Sequence, residues 1–86
     1  MPEISRFYGI IIRMFDPDHP PPHFHAIYAE HQALITIDPI AIYQGKLPPR
    51  AMSLVVEWAA IHQAELLACW NSLRAGRSPG KIPPLK

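Results

Sequence analysis

Three of the chain's five histidines and two of its seven acidic residues fall within ten positions, Asp16-Pro17-Asp18-His19-Pro20-Pro21-Pro22-His23-Phe24-His25. Three consecutive prolines fix φ and remove backbone donors, so the segment is stiff and its imidazoles have restricted directions. Imidazoles and carboxylates held this closely can bind a divalent metal, transfer protons near neutral pH or grip a phosphate. His23 and His25, two apart on an extended chain, point to the same side, and Phe24 points to the other.

A distant histidine is a candidate to join them. His62 lies in a long apolar-periodic stretch, and with His23 and His25 it would make a three-imidazole site for a transition metal such as zinc, with His19, Asp18 or Glu65 as a further ligand. The same groups serve a metal-free ribonuclease equally well: His23, His25 and His62 are candidate catalytic acids and bases, Tyr8 an accessory group, and Arg6 or Arg13 a cation for the scissile phosphate. Arg6 and Arg13 fall on opposite faces of one extended strand, so at most one of them serves a given site. The plainer alternative is a hydrogen-bond network in which the histidines only position a turn. Cys69, the sole cysteine, excludes an intramolecular disulfide and a cysteine-based zinc site, and it lies on an apolar stripe where a nucleophile is not expected.

The elements that must position these groups follow from periodicity. Residues 5–15 read as one strand, with Tyr8, Ile10, Ile12 and Met14 on one face and Phe7, Gly9, Ile11, Arg13 and Phe15 on the other. Both faces are largely apolar, which predicts a central strand. Residues 23–29 and 33–37 read as a hairpin turning near Glu30-His31, and residues 40–43 as a short edge strand after Asp38-Pro39. Pro48 and Pro49 stand where a helix begins, and Gly76 where it ends.

Between those limits the spacing predicts one long helix of nearly 40 Å at about 1.5 Å per residue. Its apolar stripe is Ala51, Val55, Trp58, Ala59, His62, Leu66, Cys69, Trp70 and Leu73, which places His62 toward the sheet. Glu57 and Gln63 lie off that stripe. Glu65 lies on its flank, three residues after His62. Core packing is the expected role of Trp58 and Trp70.

The predicted fold class is therefore α+β: a small, mainly antiparallel sheet of three to four strands packed on one long helix, in the order β-β-β-(β)-α. Residues 1–76 form the domain and residues 77–86 an extended basic tail. No internal repeat is visible.

With 86 residues, 49% hydrophobic and 17% charged, the chain has the composition of one globular domain, near the small end of what folds alone. No signal-peptide layout and no membrane-length apolar run is present, so a cytoplasmic protein without membrane association is expected. The net charge of +1 conceals an asymmetry: residues 1–70 hold four basic and all seven acidic residues, whereas residues 71–86 hold Arg74, Arg77, Lys81 and Lys86 with no acid. Those four cations are candidate nucleic-acid contacts; docking on an acidic partner or simple solvation are the alternatives.

Four segments carry a family likeness: residues 1–15, Asp-His-Pro-Pro-Pro-His-Phe-His-Ala (18–26), Gly-Lys-Leu-Pro-Pro-Arg (45–50) and Val-Glu-Trp-Ala-Ala-Ile-His-Gln-Ala-Glu-Leu (56–66). Together they resemble a small bacterial family catalogued as domain of unknown function 4160. The family's loop commonly reads His-any-Pro-Pro-His-Phe-His; Pro21 takes a place in that pattern without changing its spacing. The resemblance implies a short protein often encoded beside a second small protein, hence a two-gene module of toxin–antitoxin-like arrangement, and it makes His19, His23, His25, Trp58, His62 and Glu65 motif positions without assigning them roles. The expected partners are that small protein, a second copy of the chain, or both. An interaction protein leads; a small ribonuclease or metal-dependent hydrolase and a nucleic-acid-binding module are the alternatives.

Overall fold

The structure, a computed structural model, describes residues 3–15 and 19–86. These form five strands and two helices: β1 (Glu3–Phe7), β2 (Ile10–Arg13), β3 (His23–Tyr28), β4 (His31–Ile37), β5 (Ile40–Lys46), α1 (Pro49–Ile61) and α2 (Gln63–Arg74). The strands make one antiparallel meander in sequence order, β1-β2-β3-β4-β5. The α+β class holds, with more strands than the expected three to four and two helices in place of one.

The extra strand comes from the first segment. Residues 5–15 are not one strand but a hairpin, turning at Tyr8 and Gly9, whose φ values are +49° and +80°. A two-residue turn that matches the twist of its strands requires positive φ at both central positions, and glycine adopts it without strain. Gly9 thus serves the turn, and β3 rather than the first strand is the middle of the sheet. The alternation predicted for residues 10–15 survives: Ile10, Ile12 and Met14 are buried, while Ile11, Arg13 and Phe15 are half-buried.

At the far edge, β5 runs to Lys46, beyond the predicted residue 43. Gly45 makes this extension possible. It has φ +78°, and a Cβ there would lie 2.3 Å from the Gln32 carbonyl oxygen, so only glycine fits against β4.

The helical stretch begins and ends as predicted. Pro49 occupies the first turn, after Pro48. At the far end Gly76 takes φ +78°, its N–H bonds to Leu73 O and that of Arg77 to Ser72 O, the pairing of a Schellman cap. In between, the backbone leaves helical values at His62 (φ −110°, ψ 24°). A straight helix over residues 49–74 would measure about 39 Å, and the longest dimension of the molecule is 34 Å. The break turns α2 back onto the protein, where Gln63 Nε2 donates to Ile37 O at 2.7 Å.

Eight of the nine predicted stripe residues, all but His62, are buried in the core. Trp58 is its centre. Its ring lies 5.3 Å from Phe7 and 5.9 Å from Phe24, the latter edge-on, so the helices cover the phenylalanine face of β3. Full burial of large side chains such as Trp58, Phe24 and Ile35 contributes about 1.5–3 kcal/mol for each Ile- or Phe-sized residue.

Residues 77–86 carry no helix or strand, and they dock. Ile82 is buried, its N–H bonds to Ile4 O at 2.8 Å, and Trp58 Nε1 donates to Pro83 O at 2.9 Å. The tail therefore lies against β1 and α1.

Candidate functional site: the open face of the sheet

Register places the polar groups. Two rows cross the face that the helices leave open: Glu3–Arg13–His25–Leu34–Gln44 and Arg6–Ile11–Ile27–Gln32–Lys46. Neighbours in a row are cross-strand partners, with Cβ atoms roughly 4.5–5.5 Å apart. The opposite assignment of Arg6 and Arg13 expected from a single strand is therefore wrong. Folding at Tyr8-Gly9 brings both arginines to the face that carries His25.

A bulge in β1 completes this arrangement. Glu3 pairs with Arg13 and Ser5 with Ile12, so Ile4 is an extra residue. The bulge makes Glu3 and Arg6 co-facial, and the guanidinium forks onto the carboxylate at 2.8 and 3.2 Å. That hydrogen-bonded pairing holds the Glu3 carboxyl below the usual carboxylate range. Ile4 and Ser5 are both buried as a result. The Ser5 hydroxyl has no hydrogen-bond partner among the described residues.

His23 and His25 are brought together, with ring centroids 5.6 Å apart. Their settings differ. His23, the first residue of β3, is buried, its ring 5.4 Å from Trp70 and 5.8 Å from Tyr43. Its Nδ1–H donates to Pro21 O at 2.8 Å, so the proline loop sets its tautomer. His25 is half-buried; its Nδ1 accepts from Gln32 Nε2 at 3.0 Å, and it meets Phe15 edge-on at 4.3 Å.

The other expected participants lie elsewhere. His62 sits at the junction of α1 and α2, its Nδ1 2.5 Å from Glu65 Oε1 and its ring 5.7 Å from Trp58. It also lines a cavity of about 380 Å³ with Ile61 and the tail residues Pro83–Lys86. It therefore faces the docked tail, and Glu65 holds its ring. His19 is exposed on the proline loop. Asp16 and Asp18 lie outside the described residues. Among the described residues no group of three or more His, Cys, Asp or Glu side chains could hold a metal ion. His23, His25 and His62 do not converge as a three-imidazole site.

Cys69 behaves as expected of a buried thiol. Sγ donates to Pro79 O at 3.2 Å, and burial, with a smaller contribution from the Glu65 charge, pushes the thiol up from its ordinary value. Of the basic tail residues, Lys81 donates to Glu3 O at 2.8 Å and Lys86 borders the cavity beside His62. Arg74 and Arg77 are exposed at the end of α2. Sequence reasoning missed the roles of Gln32 and Lys46, which join the open face through register alone. The only advance signal, and for Gln32 alone, was the alternation of β4.

No helix among the described residues is long and apolar enough to cross a membrane. No curated protein and no solved structure matches the chain. A family model described as "Domain of unknown function (DUF4160)" matches residues 9–71, a span that contains His19, His23 and His25, the Gly45–Arg50 segment and the His62 break. The chain belongs to that family.

Proposed function

We propose that the protein is an interaction module, one partner of a two-gene bacterial pair, which receives a small protein on its open sheet face. The observation that carries this is the composition of the two open rows. Ile11, Ile27 and Leu34 form an apolar centre that is only half-buried, while Trp58 of α1 packs on the other side against Phe24. Around that centre stand Arg6, Arg13 and Lys46, and the only acid in either row, Glu3, is already paired with Arg6. A surface with an apolar centre and a cationic rim fits a partner with exposed apolar residues ringed by Asp and Glu.

The test is titration calorimetry with the protein encoded beside this one. Ile27→Asp places a charge at the centre of the face and is expected to weaken binding by about tenfold or more, measured well below the melting temperature of the variant. Undiminished binding by a folded Ile27→Asp variant would sink the docking face. Binding should also weaken with added salt, since rim charges are screened.

A second reading has one specific support. Arg13 stands beside His25, and Arg6 lies on the same face, which is the pairing of cation and imidazole that metal-free RNA cleavage uses. Cleavage of single-stranded RNA in the presence of chelator, lost in both His25→Ala and Arg13→Ala, would establish it. Intact RNA after long incubation with the wild type would remove it.

A further inference from the structure

The two edges of the sheet are finished differently. At β1 the docked tail bonds its Ile82 N–H to Ile4 O, Lys81 covers Glu3 O, a bulge twists the strand, and the Glu3–Arg6 ion pair adds charge. These are the devices by which proteins blunt a sheet edge. β5 has few of them. It is seven residues long, contains no proline, and carries one charge, Lys46, at its end. Besides that lysine, its one blunting device is the register shift opposite Leu34 and Ile35. Among the described residues no backbone group outside β4 bonds to it, and Ile42 and Tyr43 are 55% and 54% exposed.

From this we infer that β5 is a pairing edge for a second copy of the same chain, joined antiparallel about a two-fold axis near Ile42 and Tyr43. A free edge of main-chain donors and acceptors is completed by another strand, and charge selects which strand and which direction. The segment Ile40-Ala41-Ile42-Tyr43-Gln44-Gly45 is neutral, so two copies meet without opposed charges. In the antiparallel arrangement the two Lys46 side chains stand about 20 Å apart at roughly 3.3 Å per residue, beyond twice the ~8 Å screening length. A parallel arrangement would set them side by side. The product is one continuous sheet through two copies, in which a residue on one side of the axis faces the residue equally far on the other side, and only a residue at the axis meets its own equivalent. Seven residues make a small interface, so the association belongs to the weak, concentration-dependent class. It uses a different surface from the open face and does not rest on that reading.

The experiment is light scattering on size-exclusion columns and sedimentation equilibrium across the micromolar range, for the wild type, Ile42→Glu and Ile42→Lys. The wild type should show a monomer–dimer equilibrium. Each variant alone should associate at least about tenfold more weakly, because the axis sets the new charge against its own copy. An equimolar mixture of the two should recover dimer, now as a mixed pair identifiable by native mass spectrometry. A wild type that stays monomeric at every concentration overturns the proposal, even if a different protein later proves to occupy the edge. Dimers unaffected by either variant overturn it too. Titration of the open-face partner against Ile42→Glu should give unchanged affinity, which separates a failure here from a failure of that site.

Discussion

Phe24 and His25 are adjacent in the chain and lie on opposite faces of the central strand. Phe24 meets Trp58 edge-on and is fully buried; His25 meets Phe15 and the Gln32 amide and is half-buried. The covered face is a core of the ordinary kind, crossed by the row Ser5–Ile12–Ala26–Ala33–Gly45. The open face alternates apolar residues with cations, imidazole and amide groups. One face holds the molecule together. The other offers chemistry to whatever approaches it.

Substitutions graded by expected effect test that division. Phe24→Ala on the covered face should cost about 3–5 kcal/mol in denaturant unfolding, the transfer energy plus the cavity left under Trp58. A loss below about 1 kcal/mol would mean that the helices do not pack on this face. Gly45→Ala, at the end of the covered row, should cost more than the ~1–2 kcal/mol of a left-handed backbone alone, because the new Cβ meets the Gln32 carbonyl at 2.3 Å. Hydrogen exchange should show β5 amides losing protection first.

Ile27→Ala on the open face should cost only about 1 kcal/mol, as expected for a side chain that already touches water. A cost equal to that of Phe24→Ala would show that something covers the open face in solution, and would break the comparison. Ser5→Ala has the opposite sign. Removing a buried hydroxyl without a partner should be neutral or stabilising by up to about 1 kcal/mol, and a clear loss would reveal a partner for it.

The smallest effect is expected from Arg6→Gln, since exposed ion pairs contribute little. Melting should not change measurably. The Glu3 carboxyl, which Arg6 holds below its usual range, should titrate at higher pH by NMR. The sign follows from the depressed carboxyl: the pair helps only above the unfolded-state pKa of Glu3, and its contribution fades as pH falls through the folded value. An unmoved Glu3 titration would deny the pairing.

Much of the covered face was legible. The helical stripe from Ala51 to Leu73 appears with its buried residues named in advance, because a 3.6-residue period needs no tertiary information. Pro48, Pro49 and Gly76 mark its ends for equally local reasons. The His62 break was not legible, since no glycine or proline announces it; it answers to the size of the molecule and to a tail more than ten residues away. The first hairpin was missed because Tyr8-Gly9 is a weak turn signal inside a continuous apolar run. That error carried over to the site, placing Arg6 and Arg13 on opposite faces.

By itself, then, the sequence determined which residues alternate, where the helical stretch starts and stops, and that His23 and His25 are close to one another. Those are properties of dihedral limits and periodicity within a few residues. Tertiary structure decided that the helices cover Phe24 rather than His25, that His62 faces the tail, and that Arg6 joins Arg13 on the open face. Each of these depends on where two distant segments meet, and packing of apolar surface chooses among meeting points that local periodicity leaves equal.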